Sequence, residues 1–177
     1  MIIFFIFFAK NNTAMNYKIL IVGDGGVGKS TLVNKIKTNI FEKEYIPTMG
    51  LDVYSLKINT NHGRIMFKLW DCAGQEKFRG LRDAYYINSD AAILVYDTGF
   101  RLSHKNLLYW NRDIDRVNDN IPKIVFENKI DLPSEPIDDE KLPYNYYKTT
   151  SREEYDFNIP FLDLAKMLTG YEDLFFL

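Results

Sequence analysis

The sequence predicts an α/β domain with a mostly parallel sheet covered by helices on both faces. Short apolar runs alternate along the chain with stretches of helical apolar spacing, the pattern of βαβ units. A glycine cluster follows the first of these runs directly and opens into a helical pattern. The length of 177 residues, with 46% hydrophobic and 26% charged positions, suits one domain with a real core and excludes a wholly disordered chain.

Taken in order, Tyr17 to Val22 reads as a buried strand ending in Gly23 to Gly28, and Lys29 to Thr38 as a helix. Leu51 to Ile58 and Arg64 to Trp70 are strand-like, joined by Asn59-Thr-Asn-His-Gly63, a hairpin signal. Ala91 to Tyr96 and Lys123 to Phe126 are two further buried strands, while Leu107 to Val117 and Pro160 to Leu168 carry helical spacing. Without internal repeats or a low-complexity linker, residues 15–177 are expected to form one domain. Ahead of them, Met1 to Phe8 are all apolar. That run is far below the roughly 20 residues that span a bilayer as a helix. No basic residue precedes it, unlike a secretory signal. Residues 1–14 are expected to be a short apolar extension or an untranslated stretch, with translation from Met15 favoured.

A formal net charge of −2 leaves no basic footprint, which argues against direct nucleic-acid binding. The single cysteine, Cys72, excludes an internal disulfide and a cysteine-based zinc site, and fits a reducing compartment. The end of the sequence, Tyr171 to Leu177, holds no cysteine for prenylation, and Met1-Ile2 is not a myristoylation start, so no lipid anchor is expected.

Gly23-Asp24-Gly25-Gly26-Val27-Gly28-Lys29-Ser30 matches G-x-x-x-x-G-K-[ST]. Glycines let backbone N–H groups converge on phosphate oxygens, and the following helix presents its positive end. Lys29 is placed to reach the β and γ phosphates, and the Ser30 hydroxyl to ligate Mg²⁺. A chance glycine turn would not need Lys-Ser at that offset. Downstream, Phe67-Lys-Leu-Trp-Asp71 runs a strand into Asp71, whose carboxylate is expected to hold the metal through water. Gly74 can bring its N–H against a γ phosphate, and Gln75 can orient a water for in-line attack. Asn128-Lys129-Ile130-Asp131 follows the strand Lys123 to Phe126. A carboxylate there can accept from the N1–H and exocyclic amine of guanine, a pairing adenine cannot offer.

Together these runs resemble the small GTPases of the Ras superfamily, and within them the Ran group. The superfamily match includes Thr48, Asp71-Cys-Ala-Gly-Gln75 and Thr150-Ser-Arg152. The Ran resemblance rests on longer text: Gln75 to Tyr86 as the second switch, Phe41 to Thr48 as the first, and Trp110-Asn-Arg-Asp113 with Asn120-Ile-Pro122. It covers Tyr17 to Leu174. The resemblance implies a P-loop small-GTPase domain (G domain) with a six-stranded sheet, binding GTP or GDP with Mg²⁺ through the loop residues Gly23 to Ser30 and Thr31. Phe41 would stack on the guanine, and Thr48 would ligate Mg²⁺ and sense the γ phosphate. Tyr45 would help to place Gln75. Asn128 and Asp131 would read the base with Lys129 along its face, and Thr150, Ser151 and Arg152 would support it. Catalysis would fall to Gln75, Lys29 and Thr48.

Positioning and charge neutralisation dominate such chemistry, so unaided hydrolysis is expected on the order of 10⁻⁴ s⁻¹, as in comparable GTPases. The resemblance implies a monomer working with a GTPase-activating protein, an exchange factor and importin-β-type transport receptors, in nucleus and cytoplasm. Two other functions compete: a Ran-like nucleotide-binding decoy, and a Rab-like traffic GTPase without a lipid anchor. The chain departs from the Ran pattern in places. Cys72 replaces a usual Thr, and Glu127 stands where a small residue is expected, either crowding the base pocket or pointing to solvent. Leu132 to Pro143 is short, acidic and holds three prolines where Ran has a basic helix, so a turn is expected there. Neither the long C-terminal extension nor the acidic tail of Ran is present in this sequence.

Overall fold

The computed structural model describes residues 14–38, 50–72, 79–134 and 141–177, with backbone alone for 79–82. The elements follow as β1 (Met15–Val22), α1 (Lys29–Thr38), β2 (Leu51–Thr60), β3 (Gly63–Cys72), α2 (Arg79–Tyr86), β4 (Ala91–Asp97), α3 (Arg101–Lys105), α4 (Leu107–Asp115), β5 (Lys123–Asn128), β6 (Asn145–Lys148) and α5 (Asn158–Thr169). The six strands lie in the order β2-β3-β1-β4-β5-β6. Only the β2–β3 hairpin is antiparallel; every other neighbouring pair is parallel. The expected six-stranded, mostly parallel sheet is therefore what forms.

Strands buried on both faces need apolar side chains in both directions, which is why the central ones read as continuous apolar runs rather than alternating ones. Alternation then sorts them. Ile19, Ile21, Ile93, Val95, Ile124 and Phe126 pack with Leu32 and Val33 of α1 and Phe161, Leu164 and Ala165 of α5. Leu20, Val22, Ala92, Leu94 and Val125 face the other way, against Tyr86 of α2 and Leu107, Trp110 and Ile114 of α4. At roughly 1.5–3 kcal/mol for each large side chain removed from water, these two layers hold the sheet between its helices.

Strand ends extend a residue or two beyond the sequence-based bounds. The helix expected over Leu107 to Val117 differs more. A short helix, α3, precedes it and runs into it through Asn106, while α4 itself closes at Asp115. The Ser103 hydroxyl secures that first turn by donating to Phe100 O at 2.7 Å while accepting from Asp97 N at 3.0 Å. Leu102 and Lys105 face solvent, so the turn shows no apolar period in the sequence. Of the segment Leu132 to Pro143, where a turn is expected, residues 135–140 lie outside the described residues, and residues 132–134 and 141–144 form no helix. The last residues fold back on the hairpin tip, where Phe176 bridges to Thr60 and His62 Nε2 meets Asp173 Oδ1 at 2.8 Å.

Candidate functional site

Parallel pairing brings the C-terminal ends of β1, β3, β4 and β5 to one edge of the sheet, where open α/β folds gather their ligands. Residues 23–28 leave β1 there and turn into α1. Gly23 passes so close to β4 that a Cβ on it would lie 2.1 Å from the Val95 carbonyl oxygen. No residue larger than glycine fits without moving the strand. Gly25 and Gly26 are exposed at the loop's crest, whereas Val27 is buried and anchors it.

Lys29 opens α1 and curls back under the loop. Its Nζ donates to Gly23 O and Asp24 O, each at 2.8 Å. Burial pushes this ammonium down to about 8, against the pull of Asp71, Cys72 and Asp24. A buried ammonium needs a counter-charge, and phosphate oxygens supply one.

Asp71 lies at the end of β3, fully buried. Burial raises its pKa, while the Ser30 hydroxyl and the Lys29 ammonium lower it. Both carboxylate oxygens are shut off from solvent, with the Ser30 hydroxyl beside them. A buried carboxylate with a hydroxyl beside it is a hard-oxygen donor set that suits Mg²⁺. Ser30 and Asp71 would hold that ion, which would neutralise charge on the β and γ phosphates.

At the end of β5 the three polar residues of the Asn128–Asp131 run have separate tasks. Asn128 donates through Nδ2 to Val27 O at 2.8 Å and accepts at Oδ1 from the Thr149 hydroxyl at 3.3 Å, tying strand to loop. Lys129 takes a positive φ of 65°, an uncommon conformation for a side-chain-bearing residue, and its Nζ reaches Gly26 O and Asp97 Oδ2, both at 2.7 Å. Asp131 accepts from the Thr150 hydroxyl at 2.6 Å and pairs with Arg152 at 3.3 Å, which fixes the plane of its carboxylate. Thr150 and Ser151 are buried beside it.

The Ras family profile matches residues 18–175. This chain belongs to the Ras family. It is a small GTPase, a GTP-hydrolysing switch that binds GTP or GDP with Mg²⁺, and proteins of this kind generally act with activating and exchange proteins.

The fold brings Gly23 to Thr31, Asp71, Asn128, Lys129, Asp131 and Thr150 to Arg152 to one edge of the domain, as their motifs predict. Phe41, Tyr45, Thr48, Gly74 and Gln75 lie outside the described residues. Glu127 corrects an expectation: it neither crowds the base nor points to solvent. It alternates with Asn128 along β5, so its carboxylate faces away from the nucleotide loop, hydrogen-bonded to Tyr96 and 3.2 Å from Lys141 Nζ.

Sequence reasoning did not find the supporting contacts. Asp97 and Thr149 steady Lys129 and Asn128. Asn106 and Trp110 both bind the Asp24 carboxylate. They stand more than eighty residues downstream, and only the three-dimensional packing of α4 on β4 brings them to the loop.

Proposed function

We propose that this small GTPase is a Ran-type switch for nucleocytoplasmic transport, moving between nucleus and cytoplasm and binding importin-β-type receptors in its GTP form. The observation that carries this is the run Gln75 to Tyr86, which resembles the Ran group's second switch over its whole length. The resemblance of Phe41 to Thr48 and of Trp110 to Asp113 supports it. In this function the chemistry is a timer: γ-phosphate contacts order the switch segments, hydrolysis releases them, and partner choice changes. An activating protein would shorten the lifetime of the GTP form, and an exchange factor would renew it.

The test is a calorimetric titration of an importin-β receptor into the full chain loaded with GDP or with a non-hydrolysable GTP analogue. The expected result is binding at least about tenfold tighter in the GTP form, equal to about 1.4 kcal/mol. Absence of binding in both forms would overturn the transport role. The acidic run in place of a basic helix would then point to a decoy, and hydrolysis unmoved by a Ran-activating protein would separate that decoy from a working switch.

A further inference from the structure

We infer that Asn106 and Trp110 are positioning residues for the phosphate loop, setting the place of Lys29 through Asp24. Asn106 Nδ2 donates to Asp24 Oδ2 at 2.7 Å, and Trp110 Nε1 donates to Asp24 Oδ1 at 2.8 Å. Both oxygens of the carboxylate are thus engaged by one helical segment. The backbone carbonyl of the same residue accepts from Lys29 Nζ at 2.8 Å. Asp24 therefore has two ends: its side chain is fastened to α4, and its main chain holds the lysine that meets the phosphates.

The arrangement answers an electrostatic problem. A carboxylate in a phosphate-binding loop repels the ligand unless its charge is held elsewhere by donors. Two neutral N–H donors hold it without adding a competing cation beside Lys29. Their mounting is rigid: Trp110 is 3% exposed, locked among Leu107, Ile114, Tyr86 and Tyr96. The loop's other tethers come from β5 and grip the carbonyls of Gly26 and Val27. The α4 tether acts on a residue that binds Lys29 directly. The glycines on either side of Asp24 add little stiffness of their own. Losing the tether frees the carboxylate to swing toward the phosphates and lets the Asp24 carbonyl drift from Lys29. Nucleotide release then accelerates. This positioning role rests on Ras-family membership and is independent of the transport role, so a failed receptor titration leaves it intact.

The experiment measures release of fluorescent GDP from the full-length protein with Mg²⁺ present, for Trp110→Phe, Asn106→Ala, Asp24→Ala, Asp24→Asn and the double variant Asp24→Ala/Trp110→Phe. Hydrogen bonds to charged groups are worth enough that Trp110→Phe and Asn106→Ala should each release GDP at least about fivefold faster. The double variant should match Asp24→Ala within about twofold, because both changes cut the same contact. Asp24→Asn should restore slow release, since its carbonyl still accepts from the indole and Asn106 can turn its amide to meet the new one. A merely structural fastening of α4 would lower the melting temperature of Trp110→Phe and Asn106→Ala without speeding GDP release from the folded variants. Release within about twofold of wild type in folded Trp110→Phe and Asn106→Ala would overturn the positioning role. If the wild-type chain took up no labelled GDP, guanine-nucleotide binding itself would be overturned and the positioning role with it.

Discussion

Gly28 and Asn128 meet across the site so closely that a Cβ built on Gly28 would lie 2.5 Å from the Asn128 amide nitrogen. That nitrogen is committed to Val27 O, and the oxygen of the same amide accepts from Thr149. The strand end and the nucleotide loop are therefore fitted to each other at a point where one residue has no side chain. Gly28 also sits at φ 96°, where a Cβ is strained.

Gly28→Ala should displace the Asn128 amide and add backbone strain of about 1–3 kcal/mol. GDP affinity should fall by at least about tenfold, since the nucleotide loop and the end of β5 both shift. Calorimetric binding of GDP checks this, and an unchanged Kd would show that Asn128 moves without consequence.

Thr150 fixes the Asp131 carboxylate, which the motif assigns to the guanine base, its hydroxyl lying 2.6 Å from Asp131 Oδ1. Thr150→Val keeps the shape and removes that donor. Hydrogen bonds to charged groups contribute about 1.5–3 kcal/mol, so GDP binding should weaken by roughly tenfold or more. The loss should be selective for the base: binding of ADP, weak already, should not change in parallel. Competition of labelled GDP by GDP and by ADP would reveal this, and equal losses for both would point to general loosening of the loop instead.

The fold was legible because both of its periodicities survive in the sequence. Apolar runs such as Ile19 to Val22 and Ile124 to Phe126 mark strands covered on both faces, and the loop from Gly23 to Ser30 locates the site at their ends. What stayed hidden was direction and distance. Glu127 was legible as a departure, but its aim away from the nucleotide loop follows from the pleat of β5 and from Tyr96 and Lys141, which sequence spacing does not bring together. The Asp24 tether was illegible for the same reason, because nothing local to Asp24 signals a helix more than eighty residues away. Glu127→Ala should accordingly leave GDP affinity within about threefold of wild type. It should lower stability by about 1–3 kcal/mol, because Tyr96, pushed up in pKa first by burial and then by Glu127, loses its buried acceptor. A thermal melt beside a GDP titration separates the two effects. Tighter GDP binding in the variant would mean that the carboxylate does crowd the base.

Arg116 of the turn after α4 and Asp83 of α2 form a bidentate pair, with Nη1 to Oδ2 at 2.9 Å. Asp113 joins it at 3.2 Å from Nη2. The helix α2 includes the end of the second-switch run and is held at one end by Tyr86, which is wholly buried. The ion pair adds a second fastening to α4, the helix that also carries Trp110. Arg116 holds the Asp83 carboxyl below its ordinary value, chiefly by hydrogen bonding. Because the folded value lies below the unfolded one, the stabilisation is present above the ordinary carboxylate range and is lost as pH falls through the folded value, below about pH 4. Arg116 stays charged throughout. Both side chains are about half exposed, so the effect is small and salt weakens it. At neutral pH and low salt the wild type should melt slightly above Asp83→Asn. That gap should close on acidification below about pH 4 and should narrow in about 1 M salt, where screening shortens to about 3 Å. Parallel melts across that range decide the matter. A gap independent of both pH and salt would mean that Asp83 acts on α2 through packing rather than charge, and the link between α2 and α4 would then rest on Tyr86 and its neighbours alone.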